Sequence, residues 1–402
     1  MIQVNVAVVQ QTMRVYKTPD EYQADVKRFM RQVKSKQADI VVFPELSGLM
    51  LAYPLISGVK RGLLKQADRA GARRPSIVDK VLGRVAGTTA GVLGGGMQGS
   101  LERLLRKRHG ELFEAYIEFF ADLAAEYGMY VVGGSVYLYD QGRDEVRNAS
   151  YLFDPQGQIV GHQEKLVLTQ RDEELCSPGD QITVLPTDLG PVGLIIGSDA
   201  LYPEPARALA IQGANLLLSP AACAGPLLHR QVREAFHARV RENQLFGAIS
   251  FLVGPNNLGP GQYAGRSAVL APLELTERRD GVFQETGASN VESFVTSECD
   301  LEALTGLWET FDPPLRHKMP LACASMLGDF YAARRTVSQG YEVLEEVSEE
   351  YLPALPEETK ESMAQIPVSE PDLDVLESEA EQVTEDWPFD SDWDEPQSES
   401  KV

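Results

Sequence analysis

Cysteine is scarce in this chain: Cys176, Cys223, Cys299 and Cys323 are the only four in 402 residues. None are spaced C-x-x-C, which excludes a disulfide scaffold and a structural zinc site and suits a reducing compartment. Long apolar runs are lacking too. None reaches the roughly 18 residues that a membrane-crossing helix needs. The opening MIQVNVAVVQQ has neither the basic start nor the apolar run of a signal peptide. A cytoplasmic protein is expected. Histidine numbers only five, none in a recognisable nucleophile–base arrangement, so a Ser-His triad has no support. No metal ligand set and no cofactor motif is present, and neither a metal nor a cofactor is expected.

Basic residues are outnumbered, 37 against 59 acidic, for a net charge of −22. That imbalance is local. Residues 342–402 hold 21 Asp/Glu against Lys360 and Lys401, whereas the first 341 residues are nearly neutral. The tail, built from Glu, Asp, Ser and Pro, cannot bury enough apolar surface to offset its ordering entropy and is expected to be disordered. Residues 54–110 show the opposite bias, with 12 Lys/Arg against Asp68, Asp79 and Glu102. This basic insertion contains AGTTAGVLGGGMQG, too glycine-rich for a stable helix. Its flanks, PSIVDKVLGRV and SLERLLRKR, read as short basic amphipathic helices suited to an anionic membrane surface, which allows a peripheral location. A phosphate loop would need G-K-[ST] after its glycines, and Gly99 is followed by Ser100 and Leu101. Without interleaved aromatics, nucleic acid is not an expected partner.

The remainder alternates strands and helices. Residues 2–9 read as a half-buried strand. A helix follows, with Thr18 as N-cap, Pro19 at its first position and Glu21 closing a capping box. Its apolar face is Tyr22, Val26, Phe29, Met30 and Val33. A buried strand, Ile40–Phe43, runs into Pro44-Glu45. Residues 112–127 form a second amphipathic helix, then strands lie at 129–139, 149–154 and 158–165, the last two joined by the turn Asp154-Pro155-Gln156-Gly157. Further strands are expected near 216–219, 248–253, 266–271 and 293–299, with a long helix over 226–244. This pattern is a layered α/β domain over residues 1–300.

The stretch GLIIGSDALYPEPARALAIQG, residues 193–213, reads as a buried strand, a small-residue corner at Gly197-Ser198-Asp199, and a helix. Several hydrolase folds raise a nucleophile at such a corner. Glu45 lies just past a strand, Lys165 follows another in GHQEKLVL, and Glu173 lies eight residues later in TQRDEELCSPGD. Each alone is an ordinary loop charge.

Together and in this order the three segments resemble the nitrilase, or carbon–nitrogen hydrolase, superfamily across roughly residues 1–300. FPELSG resembles its first motif, HQEKLVL its second and GLIIGSDALYPEPAR its third, and RVRENQLFGAISF and GRSAVLAP match segments downstream. The resemblance implies a four-layer αββα sandwich that dimerises through its helices, often into larger homo-oligomers. Residues 301–341 would be a C-terminal helical arm at that interface. It also implies Glu45 as general base, Lys165 as stabiliser of the tetrahedral intermediate and Glu173 as the second glutamate. At the position of the nucleophilic cysteine this sequence has Gly197. Losing a nucleophile from a coupled catalytic set costs on the order of 10⁶ in kcat. Ser198, Asp199, Tyr202, Cys176 and Cys223 are further candidates to line the pocket.

The expected function is therefore that of a carbon–nitrogen hydrolase homologue impaired in hydrolysis, acting through an amide- or nitrile-like ligand or as an assembly partner. The alternatives are an active amidase with an unorthodox nucleophile, such as Ser198, Cys176, Cys223 or a water activated by Glu45, and a membrane-surface protein working through residues 54–110.

Overall fold

The computed structural model describes residues 3–51, 90–256 and 261–310, with backbone alone at 90–101 and at 104. The expectations for residues 54–89, for the arm beyond Thr310 and for the acidic tail lie outside the described residues.

Two parallel three-strand units form the frame. In the first, β1 (Gln3–Thr12), β2 (Ile40–Val42) and β3 (Tyr130–Val132) lie side by side, linked through helices α1 (Pro19–Ser35) and α3 (Ala90–Tyr127). The short α2 (Ser47–Leu51) follows β2. In the second unit, β7 (Val192–Leu194), α5 (Pro203–Ile211), β8 (Leu216–Ala222), α6 (Pro226–Asn243) and β9 (Phe246–Pro255) repeat the strand–helix–strand rhythm. Such crossovers force parallel pairing, because the chain must return over the sheet before the next strand starts.

Antiparallel strands extend both sheets. In the first, β5 (Glu145–Phe153) pairs with β3, β4 (Val136–Asp140) and β6 (Ile159–Glu164), and β13 (Ser293–Asp300) closes the other edge on β1. In the second, β11 (Ala268–Leu270) pairs with β9 and with β12 (Val282–Glu285), and the two-residue β10 (Gln262–Tyr263) pairs with the end of β9. The sheets meet where the last residues of β1, Gln11 and Thr12, pair with Leu252 and Val253 of β9.

Side-chain alternation divides the core into three slabs. Val4, Val6, Val8, Ile40 and Val42 of the first sheet face Leu194, Leu216, Leu218, Phe246 and Ala248 of the second. On the outer face of the first sheet, Tyr22, Val26, Phe29 and Met30 of α1 pack with Tyr116 and Phe120 of α3. Over the second sheet, Leu209 of α5 joins Val232, Phe236 and Val240 of α6. The layering is α-β-β-α.

At the N-terminus of α1, Thr18 accepts from the Glu21 N–H, Pro19 stands in the first turn and all five expected apolar residues are buried, but the expected capping box is not closed, because the Glu21 side chain accepts from the Lys17 N–H rather than the Thr18 N–H. One expectation is overturned. The glycine-rich segment is helical from Ala90 onward and continuous with SLERLLRKR, the only break being non-helical angles at Arg108. Glycine costs about 1 kcal/mol per residue relative to alanine, but a helix already nucleated over 105–124 gains one hydrogen bond for each residue added. Strand β12 had no clear sequence signal. Among the described residues, no helix is long and apolar enough to cross a membrane.

Candidate active site

The chemistry-bearing residues gather at the carboxyl ends of the parallel strands, where open α/β sheets bind their ligands. Glu45 follows β2, Gly197 follows β7, and the Ala222 N–H lies at the end of β8. Lys165 follows β6, and Asn148 lies within β5. Glu45 is aimed by an uncommon backbone. Leu46 has φ +65° although it is bulky and buried. Its N–H donates to Ser135 Oγ at 3.1 Å, which helps hold a conformation that leucine rarely adopts.

Lys165 is the centre of a buried ion cluster. Its Nζ donates to Glu45 Oε1 and to Asp172 Oδ2, both at 2.7 Å. Glu45 Oε1 also accepts from Asn148 Nδ2 at 2.9 Å, and Oε2 accepts from the Ala222 N–H at 2.8 Å. Asp172 is held by the short helix α4 (Gln170–Glu173), in which Thr169 and Asp172 form a reciprocal capping box. Tyr137 donates to Asp172 Oδ1 at 3.4 Å.

One ammonium thus serves two carboxylates. Burial alone would pull the Lys165 amine down, but Glu45 and Asp172 outweigh it and hold the lysine firmly protonated. For Glu45, burial dominates and Asp172 adds to it, so its carboxyl is pushed up despite Lys165. Asp172 is also raised by burial, but the Lys165 ammonium and the Thr169 donors bring it below its ordinary value. Of the two acids Glu45 is the better proton acceptor, which is what a general base requires.

Asp199 ties the lysine loop to the corner. Its Oδ1 accepts from the N–H groups of Leu166 and Val167 at 2.9 and 2.7 Å, and Oδ2 accepts from Ile196 N–H at 2.8 Å. Burial pushes its carboxyl up to about 7 against the pull of those donors. Ser198 Oγ donates to the Val167 carbonyl at 2.6 Å, adding a third bond across the seam between the lysine loop and the corner. Gly197 opens the 3₁₀ turn Gly197–Leu201 with φ +49°, and a Cβ built on it would stand 2.6 Å from Glu45 Oε2.

Not every expected residue joins this cluster. Glu173 is exposed in the turn, and the acid that meets Lys165 is its neighbour Asp172. The correction has a simple cause. The capping box fixes Asp172 inward, and the next residue on a helix then points elsewhere. Tyr202 is 52% exposed. Cys176 and Cys223 are buried, and burial first, then nearby carboxylates, pushes both thiols up, away from the reactive thiolate. Ser198 spends its proton on a backbone carbonyl. Asn148 escaped the sequence reading, although a buried Asn amid the apolar residues of RNASYLF was the available signal. Among the described residues no group of three or more His, Cys, Asp or Glu could hold a metal ion.

A sandwich of two sheets between helices, with an acid–lysine–acid cluster at its strand ends, defines a hydrolase-type scaffold. The chain belongs to the carbon-nitrogen hydrolase family, whose model matches residues 5–274. It is 34% identical over 202 residues to the probable hydrolase YhcX of Bacillus subtilis (strain 168), a match covering 49% of this chain and 39% of that protein. Less than half of that relative is therefore spanned. The fold is similar to the carbon-nitrogen hydrolase of Helicobacter pylori G27, with a TM-score of 0.57 at 18% identity over 84% of this chain and 99% of the other. It is also similar to an amidase from Nesterenkonia sp. AN1, solved after Michael addition of acrylamide at its active-site cysteine, with a TM-score of 0.55, 18% identity and coverage of 81% and 99%.

Proposed function

We propose that this protein binds a small amide- or nitrile-like molecule in a carbon–nitrogen hydrolase pocket and does not hydrolyse it. The observation that carries this reading is the pairing of Gly197 with Glu45. The corner after β7 has a left-handed backbone, yet its residue has no side chain, and a carboxylate oxygen lies only 2.6 Å from where one would begin. The Nesterenkonia amidase, by contrast, has an active-site cysteine, to which acrylamide adds. Here the general-base and lysine positions are intact and hydrogen-bonded, while the neighbouring groups that carry a nucleophilic atom are engaged or held unreactive. A serine hydroxyl committed to a carbonyl, without a base beside it, is a poor nucleophile.

The test is hydrolysis of a panel of amides, nitriles and N-carbamoyl compounds by the parent and by Gly197→Cys. Product from the variant alone supports the reading. Turnover by the parent that is abolished in Glu45→Gln would overturn it in favour of a working amidase using Glu45-activated water or another nucleophile. Assembly into a homodimer belongs to the same proposal and is checked by light scattering. A membrane-surface role for residues 54–110, supported by their basic excess, is a separate proposal. Failure to co-float with anionic liposomes at low salt removes it.

A further inference from the structure

The charged groups of the site are sealed from solvent. Glu45, Lys165 and Asp172 are 2%, 3% and 6% exposed. A site of this kind takes a ligand from solution only by opening, and its walls are unequally held. Helix α2 is buried along its whole length. The corner is tied to the lysine loop through Asp199 and Ser198. The remaining wall is the short strap of residues 261–264.

This strap crosses the end of β8. Ala264 N–H donates to the Cys223 carbonyl at 3.1 Å and Gly225 N–H to the Gln262 carbonyl at 2.8 Å, directly after Ala222, whose N–H holds Glu45. Gly261 and Gln262 are exposed, whereas Tyr263 turns inward and is 5% exposed. Its ring shares a buried cluster with Leu46, Tyr137 and Cys176, and Tyr137 in turn donates to Asp172. Tyr263 is thus the one side chain of the strap that is packed inside.

The two ends of the strap differ. Beyond it the chain is pinned. Gly265 N–H donates to the Ser289 carbonyl at 3.0 Å, Arg266 N–H to His229 Nε2 at 3.0 Å and Ser267 N–H to Gln10 Oε1 at 2.9 Å. A Cβ on Gly265 would overlap Phe251. At the leading end, β10 pairs with Gly254 and Pro255, and a proline has no N–H to give the ladder. Gly261 there has φ +93°, with nothing within 4 Å of a Cβ built on it.

We propose that residues 261–264 form a hinged strap, pinned at Gly265, which swings outward and withdraws Tyr263 to admit the ligand. This inference rests on the ligand-binding reading above and adds the way into the sealed site. Swinging the strap exposes little surface. The open form is therefore populated far more than the unfolded chain and depends little on denaturant.

The experiment follows alkylation of the full-length protein by iodoacetamide in increasing urea, with each thiol resolved by peptide mass spectrometry and its rate normalised to that in the unfolded chain. Cys176 lies in the cluster that Tyr263 closes, and Cys299, 1% exposed in β13, reports opening away from the strap. Cys176 is expected to react about a hundredfold faster than Cys299, at a rate flat in low urea while that of Cys299 climbs. Tyr263→Ala should speed Cys176 by about tenfold or more, because the closed state alone loses the buried ring. Val26→Ala, a core change in α1, should speed Cys299 and leave Cys176 unmoved. Cys176 and Cys299 reacting in step in the parent, Cys176 unmoved by Tyr263→Ala, or Cys176 sped by Val26→Ala would each overturn the strap. No ligand enters this measurement, so its failure leaves the ligand-binding reading to the hydrolysis panel.

Discussion

The Oε2 atom of Glu45 lies 2.6 Å from the point where a Cβ on Gly197 would stand, on a backbone whose φ is +49°. The two residues compete for one volume. Three donors, from Lys165, Asn148 and Ala222, keep the carboxylate where it is. The acid has therefore settled against the corner over which it would have to work.

Gly197→Ala is expected to destabilise the protein by more than its backbone alone accounts for. Left-handed geometry costs an L-residue about 1–2 kcal/mol. Gly128 provides the control, since its φ is +58° and nothing lies within 4 Å of a Cβ built there. Urea denaturation of both variants isolates the contact with Glu45. Equal losses at the two positions would show that Glu45 yields freely, and the competition would be disproved.

Removing the central cation is expected to be the costliest change in the cluster. Lys165→Met strands Glu45 and Asp172 in a buried site. Breaking a buried pair from one side typically costs about 3–5 kcal/mol. Adding Asp172→Asn to Lys165→Met removes one of the stranded charges, so the double variant should be more stable than the single one. Additive losses in denaturant melts would mean that the two residues do not act as a unit.

The frame of this site was legible in sequence because its signals are local. Thr18-Pro19-x-Glu21 specifies a helix start, and the spacing of Tyr22, Val26, Phe29, Met30 and Val33 specifies which face is buried. The strand preceding Glu45 announced itself by unbroken apolar residues. The choice between Asp172 and Glu173 was not legible, because both are acids in one short turn and only the capping bond from Thr169 decides which faces Lys165. Asn148 was missed for a related reason: its partner Glu45 lies 103 positions away in the chain. The helix through Ala90–Gly99 ran against intrinsic propensity, a weak prior once a neighbouring segment is packed.

Acid should weaken the fold through His229. Its Nε2 accepts the Arg266 N–H at 3.0 Å, which requires the neutral ring. Burial first, then Arg233, Arg266 and Arg230, lowers its pKa to about 4, with Glu234 opposing. Between that value and the unfolded value near 6.5 the unfolded chain binds the extra proton, so stability falls as pH drops through this window. His237, shifted in the same direction by burial and by Arg233, adds to the slope. His229→Gln keeps an acceptor and cannot titrate. Its melting temperature should therefore fall less than the parent's between pH 7 and pH 4.5. Parallel curves would rule out His229 as a source of the acid sensitivity.

The donor from Asn148 to Glu45 Oε1 makes a sharper electrostatic prediction. Asn148→Ala loses one hydrogen bond to a charged group, worth about 1.5–3 kcal/mol. Asn148→Asp keeps the shape but replaces a donor with a third carboxylate beside Glu45 and Asp172, where Lys165 alone supplies positive charge. Like charges that share a buried site drive one of the pair to take up a proton. Its folded pKa then lies above the unfolded value, and the aspartate variant gains stability relative to the alanine variant as pH falls from 8 to 5. At pH 8 the expected order is parent, then alanine, then aspartate. Urea melts at the two pH values check both the order and the crossing trend. An aspartate variant whose stability runs parallel to that of the alanine variant across this range would mean that the carboxylates at Glu45 and residue 148 are solvated apart, although Asn148 Nδ2 lies 2.9 Å from Glu45 Oε1 in the native fold.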